Sequence, residues 1–293
     1  MARSVLFHWC HYANRVDSKN APTPVRRPAV DAPLVVHEDV DDVAVITLNR
    51  PEARNSLSEA MLSALGETLT TLAAERDVRA VVLAANGPAF SAGHDLKELT
   101  ARRTDPDRGR DFFKHVMTTC SAVMQQIVRL PRPVIAAVQG PASAAGCQLV
   151  ASCDLAVASA AARFATPGVD IGLFCSTPMV ALSRNVAPKH AMEMLLTGDM
   201  MSAEDALRIG LVNRVVPPGT EGDEAIKLAR KIAAKSAHVV KIGKEAFYRQ
   251  LEMGLADAYA YTSQVMVENM MARDAEEGIG AFVQKRKPTW EHR

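Results

Sequence analysis

Phe90-Ser91-Ala92-Gly93-His94-Asp95-Leu96-Lys97 and, about fifty residues later, Gly140-Pro141-Ala142-Ser143-Ala144-Ala145-Gly146-Cys147-Gln148 are the two stretches that decide the fold. Each joins an apolar run to an amphipathic run through small residues. Loops of Gly and Ala let a ligand approach the main chain, and the N–H groups that open a helix have no partner inside it. Two such loops can hold one oxygen atom between two donors, so the pattern predicts an oxyanion hole.

Strands and helices alternate around these loops. Apolar runs predict strands at 40–48, 78–84, 134–138, 154–158 and 211–216, and helical spacing predicts helices at 56–72, 112–130, 145–152, 191–196 and 202–209. Ser56 with Glu59, and Ser202 with Asp205, match the capping-box pattern. From residue 224 onward the pattern is helical and rich in methionine, which is typical of a region that packs on the main domain or on another subunit. The alternation predicts an α/β fold.

Composition excludes several classes of protein. With 293 residues, 48% of them hydrophobic, the chain can bury a full core. A net charge of +1 gives no electrostatic footprint for nucleic acid or an anionic membrane. Five cysteines without C-x-x-C spacing indicate neither a disulfide framework nor a zinc site, and they favour a reducing compartment. No apolar stretch reaches the roughly 18 to 20 residues of a membrane span.

The first 32 residues differ in character from the rest. In its first thirty residues Arg3, Arg15, Lys19, Arg26 and Arg27 outweigh the single Asp17, and three prolines lie at 22, 24 and 28. Two interpretations stay open, an organelle transit peptide and a flexible extension. The alanine-rich composition favours the cytoplasm of a bacterium, and a transit peptide would instead direct the chain to the mitochondrial matrix.

Several common sites are absent from the sequence. It contains no G-x-G-x-x-G, no phosphate-loop G-x-x-x-x-G-K-[ST], no G-x-S-x-G nucleophile elbow and no H-E-x-x-H. These absences argue against nucleotide, serine-hydrolase and metal chemistry. His94 has two interpretations: its ring lies over a ligand, or only its main-chain N–H is used. Cys147 and Cys153 are interpreted as core thiols.

Taken together, the two loops and the strand between them resemble the enoyl-CoA hydratase/isomerase family, the crotonases. The resemblance extends from about Val35 to Trp290. It is also carried by Asn49-Arg50-Pro51, Asn55-Ser56-Leu57, Pro133-Val134-Ile135-Ala136-Ala137-Val138, Cys153-Asp154, Leu196-Thr197-Gly198, Gly210-Leu211-Val212 and Lys285-Arg286-Lys287-Pro288.

The resemblance implies a ClpP-like spiral of β-β-α turns. The spiral core would occupy residues 33–222, after a flexible extension at 1–32, and a helical region at 223–293 would form trimers or a hexamer made of two trimers. The implied ligand is an acyl-CoA thioester of fatty-acid metabolism, with coenzyme A as part of the substrate and no further cofactor or metal.

The resemblance also implies roles for particular residues. The thioester oxygen would be held by the main-chain N–H groups of His94 and Ala145, the second at a helix N-terminus whose dipole favours an enolate. A channel for CoA and the acyl group would be lined by Ala92, Gly93, His94, Asp95, Leu96 and Lys97. Arg54 would contact CoA, and Lys287 would reach its phosphates, from a neighbouring subunit.

The sequence departs from the hydratase pattern at the acid–base positions. The two hydratase glutamates fall on Gln148 and Gly168, neither of which exchanges a proton, and one positioned acid–base group is worth typically ~10²–10⁴ in rate. A third acidic position of the family falls on Ser176, which leaves Asp170 as the carboxylate of that loop. Gln148 and Ser176 could still orient a water or a polar acyl group.

Two functions therefore stay open. One is an acyl-CoA enzyme in which His94, Asp170 or the substrate moves the proton. The other is a non-catalytic acyl-CoA-binding or regulatory protein.

Overall fold

The computed structural model describes residues 32–293, so the predictions for the N-terminal extension fall almost entirely outside it. Two sheets and a series of helices make up this part of the chain. The strands are β1 (Val35–Val40), β2 (Val43–Leu48), β3 (Ala80–Ala85), β4 (Val134–Val138), β5 (Ala142–Ser143), β6 (Leu155–Ser159), β7 (Arg163–Ala165), β8 (Met201–Ser202) and β9 (Arg214–Val216). The helices are α1 (Glu59–Ala74), α2 (Leu96–Ala101), α3 (Arg110–Arg129), α4 (Ala145–Ser152), α5 (Pro178–Leu182), α6 (Pro188–Thr197), α7 (Ala203–Arg208), α8 (Glu221–Ala233), α9 (Ala237–Gln250), α10 (Leu255–Met270) and α11 (Arg273–Val283).

The larger sheet has the strand order β1-β2-β3-β4-β6-β9, and the smaller has the order β5-β7-β8. From β2 to β9 the neighbours in the larger sheet are parallel, whereas β1 is antiparallel to β2. The strand predicted at 40–48 is confirmed over residues 43–48, but residues 40–42 are not part of it. Asp41 adopts a φ of 60° and turns the chain, so that Val40 pairs with Val43 across a hairpin.

The predicted helix starts are corrected in one case and confirmed in the other. Ser58 rather than Ser56 caps α1, because its hydroxyl accepts a hydrogen bond from the Met61 N–H at 3.2 Å. The predicted capping box at Ser56 is therefore wrong. At α7 the Ser202 hydroxyl accepts from the Asp205 N–H at 3.1 Å, as predicted.

Both faces of the larger sheet are covered. Ile46, Leu83 and Ala136 belong to the main core, which includes buried side chains of α1, α3 and α4. The alternate residues Val82 and Ile135 pack instead with α8. Full burial of one such aliphatic side chain contributes about 1.5–3 kcal/mol. The helix that covers this second face, α8, begins at Glu221. The predicted boundary between the spiral core and the C-terminal helical region, at residue 223, stays a prediction.

The last three helices expose many apolar side chains. Phe247, Leu255, Tyr259, Met271 and Phe282 are all more than half exposed, and Phe282 reaches 84%. Within residues 32–293 no helix combines the length and apolar character that crossing a membrane requires. A surface of this kind marks a place where another molecule packs.

The topology brings the two small-residue loops together. β3 and β4 are parallel neighbours, and one loop follows the carboxyl end of each strand. Carboxyl ends of neighbouring parallel strands lie at one edge of a sheet, where ligands of α/β proteins commonly bind.

Candidate functional site

The two loops touch at their glycines. A Cβ on Gly93 would lie 2.9 Å from the Ser143 oxygen and 3.2 Å from the Ala145 nitrogen, and Gly93 itself has a φ of 87°. A Cβ on Gly146 would lie 2.8 Å from the Cβ of Ser91 and closer still to the Ser91 oxygen. Only glycine fits at either position, so main chain packs directly against main chain here.

Hydrogen bonds hold the loops in this arrangement. The Ser143 N–H donates to the Ser91 oxygen at 2.9 Å, and the Ser91 hydroxyl donates to the Asn55 oxygen at 2.8 Å. Asn55 is fully buried, and its side-chain amide donates to the main-chain oxygens of Asn86 (2.8 Å) and Ala89 (2.9 Å). Asn55 is thus a framework residue of the site. In the sequence, Asn55 was noted only as part of the Asn55-Ser56-Leu57 stretch that carries the family resemblance.

Each loop carries an unused main-chain donor close to the contact between the loops. The Gly93 oxygen and the Asp95 N–H bond to Leu57, at 2.8 and 3.4 Å, which leaves the His94 N–H between them. The Ala145 N–H opens α4, next to Ala144, whose φ of 49° and ψ of −117° are unusual for a residue with a side chain. Neither N–H donates to any residue between 32 and 293. Unpaired buried donors and strained backbone are rare, and both cluster at functional sites.

The His94 side chain is largely withdrawn from solvent. Both ring nitrogens are buried, and neither has a hydrogen bond of good geometry to another residue in the described part of the chain. Burial lowers the pKa of His94 below its usual value of 6.5, and the Leu57 main chain only partly opposes this shift. The ring is therefore neutral at pH 7, with one nitrogen able to accept a proton.

Asp95 holds the first loop in place. Its carboxylate accepts hydrogen bonds from the Arg50 guanidinium at 2.9 Å, from the Ser56 hydroxyl at 3.2 Å, and from the N–H groups of Lys97 and Glu98 at the start of α2. Burial alone would raise the pKa of Asp95, but the Glu98 N–H and the Arg50 guanidinium outweigh it, so the pKa is lowered. Arg50 was not identified from the sequence as a site residue.

Gln148 and Gly168, which the resemblance predicts at the hydratase glutamate positions, differ structurally from each other. Gln148 is 4% exposed, and its Oε1 accepts no hydrogen bond from the described residues. At Gly168 an added Cβ would lie 2.9 Å from the Cys175 sulfur and 3.0 Å from the Leu173 oxygen. The Cys175 thiol therefore occupies the space that a side chain at 168 would enter. Burial raises the pKa of Cys175, so the thiol is protonated at neutral pH.

Thr166 is a buried residue that sequence reasoning missed. It is fully buried, and its hydroxyl has no hydrogen-bond partner in the part of the chain that the structure describes. It follows Ala165, whose oxygen accepts the Ala144 N–H at 2.9 Å. An isolated threonine carries no sequence signal, because its importance depends on this strand pairing.

Asp170 and Ser176 lie on the surface of the next loop. The Asp170 carboxylate sits beside Gly198 at the end of α6, with its Oδ2 3.1 Å from the position of an added Cβ there. The Ser176 hydroxyl donates to the Phe174 oxygen at 3.3 Å. Within residues 32–293 neither side chain bonds to the His94 or Ala145 loops.

Of the residues predicted to contact CoA, Gly93 is buried and His94 and Asp95 are partly buried, whereas the others are exposed. Ala92, Leu96 and Lys97 line the outer side of the first loop, and the Arg54 oxygen accepts the Ala92 N–H at 3.0 Å. Lys287 lies beyond α11. No hydrogen bond or ion pair of the described residues joins its side chain to the loops.

One group of potential metal ligands occurs away from the loops. Donor atoms of His37, Asp39 and Glu75 lie within 4.8 Å of one another. The first two are on β1, at the edge of the larger sheet, and both are exposed. This group does not contribute to the arrangement around Ala145.

Comparisons with known proteins agree on one family. The enoyl-CoA hydratase/isomerase family model matches residues 38–293. Human enoyl-CoA hydratase domain-containing protein 3, mitochondrial, is 49% identical over 284 residues, covering 97% of this chain and 92% of that protein. Its crystal structure is similar with a TM-score of 0.83 at 51% identity, covering 88% of this chain and 100% of that one. The Mycobacterium smegmatis enoyl-CoA hydratase structure gives a TM-score of 0.84 at 54% identity, covering 88% and 99%.

On sequence alone, the stretches 91–100, 146–154 and 172–178 resemble this domain-containing protein 3 subgroup. The comparison with the human protein confirms that resemblance.

Proposed function

Because the chain belongs to the enoyl-CoA hydratase/isomerase family and has the crotonase fold, we propose that it binds an acyl-CoA thioester of fatty-acid metabolism and polarises its carbonyl. The observation that carries this proposal is the contact of Gly93 with the Ala145 nitrogen, which sets two unused N–H donors on adjoining loops. In this role they form an oxyanion hole. Loss of one such donor typically costs ~10²–10³ in rate.

The second donor has additional support from its position. Ala145 is the first residue of α4, so the positive end of the helix dipole faces the developing enolate. The strained Ala144 conformation aims this N–H out of the turn, and the Ala165 oxygen anchors the turn. The donor is thus oriented before substrate binds.

Proton transfer in this proposal relies on His94. Gln148 and Gly168 exchange no proton, and the Asp170 carboxylate lies beside Gly198. His94 also supplies the first N–H donor, and this proposal has its neutral ring face the α-carbon of a thioester held at that donor. A neutral imidazole is a suitable base for α-proton abstraction. The reaction type supported best is enolate formation, leading to isomerisation or exchange, rather than efficient hydration.

CoA binding and assembly belong to the same proposal. Lys97 on the first loop and Arg54, whose oxygen accepts the Ala92 N–H of that loop, are both exposed and are suited to the CoA phosphates. The apolar side chains of α9 to α11 pack on neighbouring subunits in a trimer or a hexamer of two trimers. Lys287, which follows α11, then reaches a neighbour's ligand. Sedimentation at several protein concentrations tests the assembly, and a monomer at all of them contradicts it.

The compartment depends on residues 1–32. The human relative is named mitochondrial, whereas the M. smegmatis protein is bacterial. Import into isolated mitochondria with removal of this segment supports the matrix, and a retained segment supports the bacterial cytoplasm.

The decisive experiment measures chemistry at the α-carbon. The protein is incubated with crotonyl-CoA and longer or branched enoyl-CoA thioesters in deuterated water, and mass spectrometry records hydration, double-bond migration and deuterium uptake. Ala145→Pro removes one donor and should abolish turnover. Ala144→Gly keeps that donor, relieves the φ of 49°, and should leave turnover intact.

The same experiment distinguishes the enzyme from the second candidate function, a non-catalytic acyl-CoA binder. A non-catalytic acyl-CoA binder is favoured by one observation, that the Cys175 thiol takes the side-chain space beside Gly168. Tight thioester binding without exchange or conversion supports that function. Failure to bind any CoA thioester contradicts both.

A further inference from the structure

Residues 286–293, which we call the strap, fold back along α11 and are held there by contacts remote from the two loops. The chain reverses at Lys285, which adopts a φ of 55°, and the Arg286 N–H donates to the Ala281 oxygen at 3.0 Å. The Arg286 guanidinium then donates to both carboxylate oxygens of Glu277, at 2.6 and 2.7 Å. The strap therefore runs from the end of α11 back toward its start.

Trp290 lies on the α11 backbone in the middle of the strap. A Cβ added to Gly278 would lie 3.1 Å from the edge of the Trp290 ring, so the indole occupies the space that a side chain at 278 would need. The indole N–H donates to the Ala234 oxygen, directly after α8, at 3.0 Å. Trp290 thus joins α11 to the junction between α8 and α9.

A buried carboxylate holds the end of the strap. Asp274 is 1% exposed, and its carboxylate accepts the N–H groups of Glu291 and His292 at 2.7 and 2.8 Å and the Ser236 hydroxyl. The Asp274 N–H donates in return to the Arg293 oxygen at 3.0 Å. Burial alone would raise the pKa of Asp274, but the Ser236 hydroxyl and the two N–H groups outweigh it, so the pKa is lowered. Asp274 therefore stays charged near neutral pH.

The His292 ring is the group of this contact that titrates near neutral pH. Its Nδ1 accepts the Ala237 main-chain N–H at 3.1 Å and lies 3.4 Å from an Arg79 guanidinium nitrogen. Both neighbours are donors, so Nδ1 carries no proton in this arrangement. The negative charges near the ring are Asp274 on α11 and Asp42, whose carboxylate is 3.7 Å from the Arg79 guanidinium. Burial and the Arg79 charge outweigh them and lower the pKa of His292 below its usual value of 6.5.

We propose that the strap is a pH-sensitive latch, closed while the His292 Nδ1 accepts the Ala237 N–H and released when that nitrogen is protonated. A protonated Nδ1 sets a further donor against the Ala237 N–H and the Arg79 guanidinium, and it leaves the Ala237 N–H without an acceptor. His292 also adopts a φ of 62°, so the closed strap depends on these contacts. In the open strap the ring lies in water and takes up the proton more readily. Closure is therefore fully stable above about pH 6.5 and weakens as the pH falls below that value.

The latch also fixes the position of Lys287, which belongs to the strap. On one side of Lys287 is the Arg286–Glu277 pair, and on the other the Thr289 N–H donates to Glu277 at 2.8 Å. The proposed function assigns Lys287 to a neighbour's ligand, so release of the strap should weaken the binding of CoA thioesters. This consequence alone rests on the proposed function.

The fluorescence of Trp290 tests the latch in the full chain. The sequence holds two tryptophans, so a Trp9→Phe background leaves Trp290 as the single reporter. As the pH falls from 8 to 5, the emission should shift to longer wavelength and quenching by acrylamide should increase. His292→Asn keeps an acceptor on the side chain but takes up no proton, so its emission should not shift. His115→Gln is the control and should shift like the parent, because His115 pairs with Glu59.

Two glycine variants and a measurement of helix content separate release of the strap from unfolding. Gly278→Ala crowds the Trp290 ring, so the shift should begin at a higher pH than in the parent. Gly280→Ala, where an added Cβ meets no atom within 4 Å, should leave the shift unchanged. Circular dichroism should show intact helices across the same pH range. Loss of helix together with the shift would mean general unfolding and would overturn the latch.

The remaining outcomes distinguish the latch from the proposed function. An emission that is unchanged between pH 8 and pH 5, or an equal shift in the parent and in His292→Asn, overturns the latch. Crotonyl-CoA should bind more weakly at pH 5.5 than at pH 7.5 in the parent and with little change in His292→Asn. An equal loss of affinity in both proteins contradicts the consequence for Lys287. Absence of binding by every thioester overturns the proposed function, whereas the fluorescence result still decides the latch.

Discussion

Replacement of Gly146 by alanine tests whether the contact between the two loops positions the donors. The new Cβ would lie 2.8 Å from the Ser91 Cβ and 2.9 Å from the Ser91 carbonyl carbon, with the Ser91 oxygen nearer still. Ordinary contacts begin at about 3.4 Å, so the loops must separate by at least 0.6 Å, the difference between 3.4 and 2.8 Å. The nearest atoms are main chain, which cannot rotate away.

Two effects on Gly146→Ala follow from this separation. Overpacking costs about 1–3 kcal/mol, against which alanine regains about 0.5–1 kcal/mol of helix propensity. We therefore expect the unfolding free energy to fall by about 1–2 kcal/mol. The same movement draws the Ala145 donor away from the His94 donor. Displacement of a positioned group by about 1 Å costs on the order of 10²-fold in rate, so we expect a loss of about 10- to 100-fold in α-proton exchange.

The assays are urea unfolding and deuterium uptake into a thioester substrate. Gly243→Ala is the matched control, since a Cβ on Gly243 in α9 meets no atom within 4 Å. The control should be slightly more stable than the parent and equally active. Parent-like exchange rate and stability in Gly146→Ala would refute the role assigned to the loop contact.

Three further predictions concern stability and reactivity. Lys244→Met should lower the unfolding free energy, measured in urea, by about 3–5 kcal/mol. The reason is that Asp154, 2.7 Å from the Lys244 ammonium, would remain buried without a counter-charge. A loss under 1 kcal/mol would contradict this. The unfolding free energy should decrease as the pH falls below about 6.5, because burial lowers the pKa of His94 and the unfolded chain then binds the proton more readily. His94→Gln should flatten this dependence of stability on pH in thermal scans. The part due to His292, whose pKa burial also lowers, should remain. An unchanged dependence would contradict the burial assigned to His94. Burial raises the pKa of the thiols of Cys120, Cys147 and Cys153. At pH 8 a disulfide reagent should therefore label these three thiols only after urea is added, and their rapid labelling in the native protein would contradict this.

Local patterns predicted most of the regular structure. The run at 134–138 and the segment at 145–152 are the strand and helix that the structure contains, because a continuous apolar run and a turn of small residues are visible in the sequence. The hairpin at Asp41 was missed, since the strand before it is polar at residues 37–39 and the turn contains neither glycine nor proline. The start of α1 was misplaced because three serine and asparagine residues, Asn55, Ser56 and Ser58, compete for the cap and the tertiary contacts assign each a separate partner.

By itself the sequence determined the family, the α/β fold and the two loops whose small residues allow main chain to meet main chain. It also determined that Gln148 and Gly168 cannot exchange protons, because that property belongs to the side chains alone. Only the tertiary structure decided that Asp95 bonds to Arg50, that the Cys175 thiol takes the space beside Gly168, and that the Thr166 hydroxyl is buried without a partner. These features depend on which distant segments pack together, and burial, strain and pairing are properties of that packing rather than of any local run of residues.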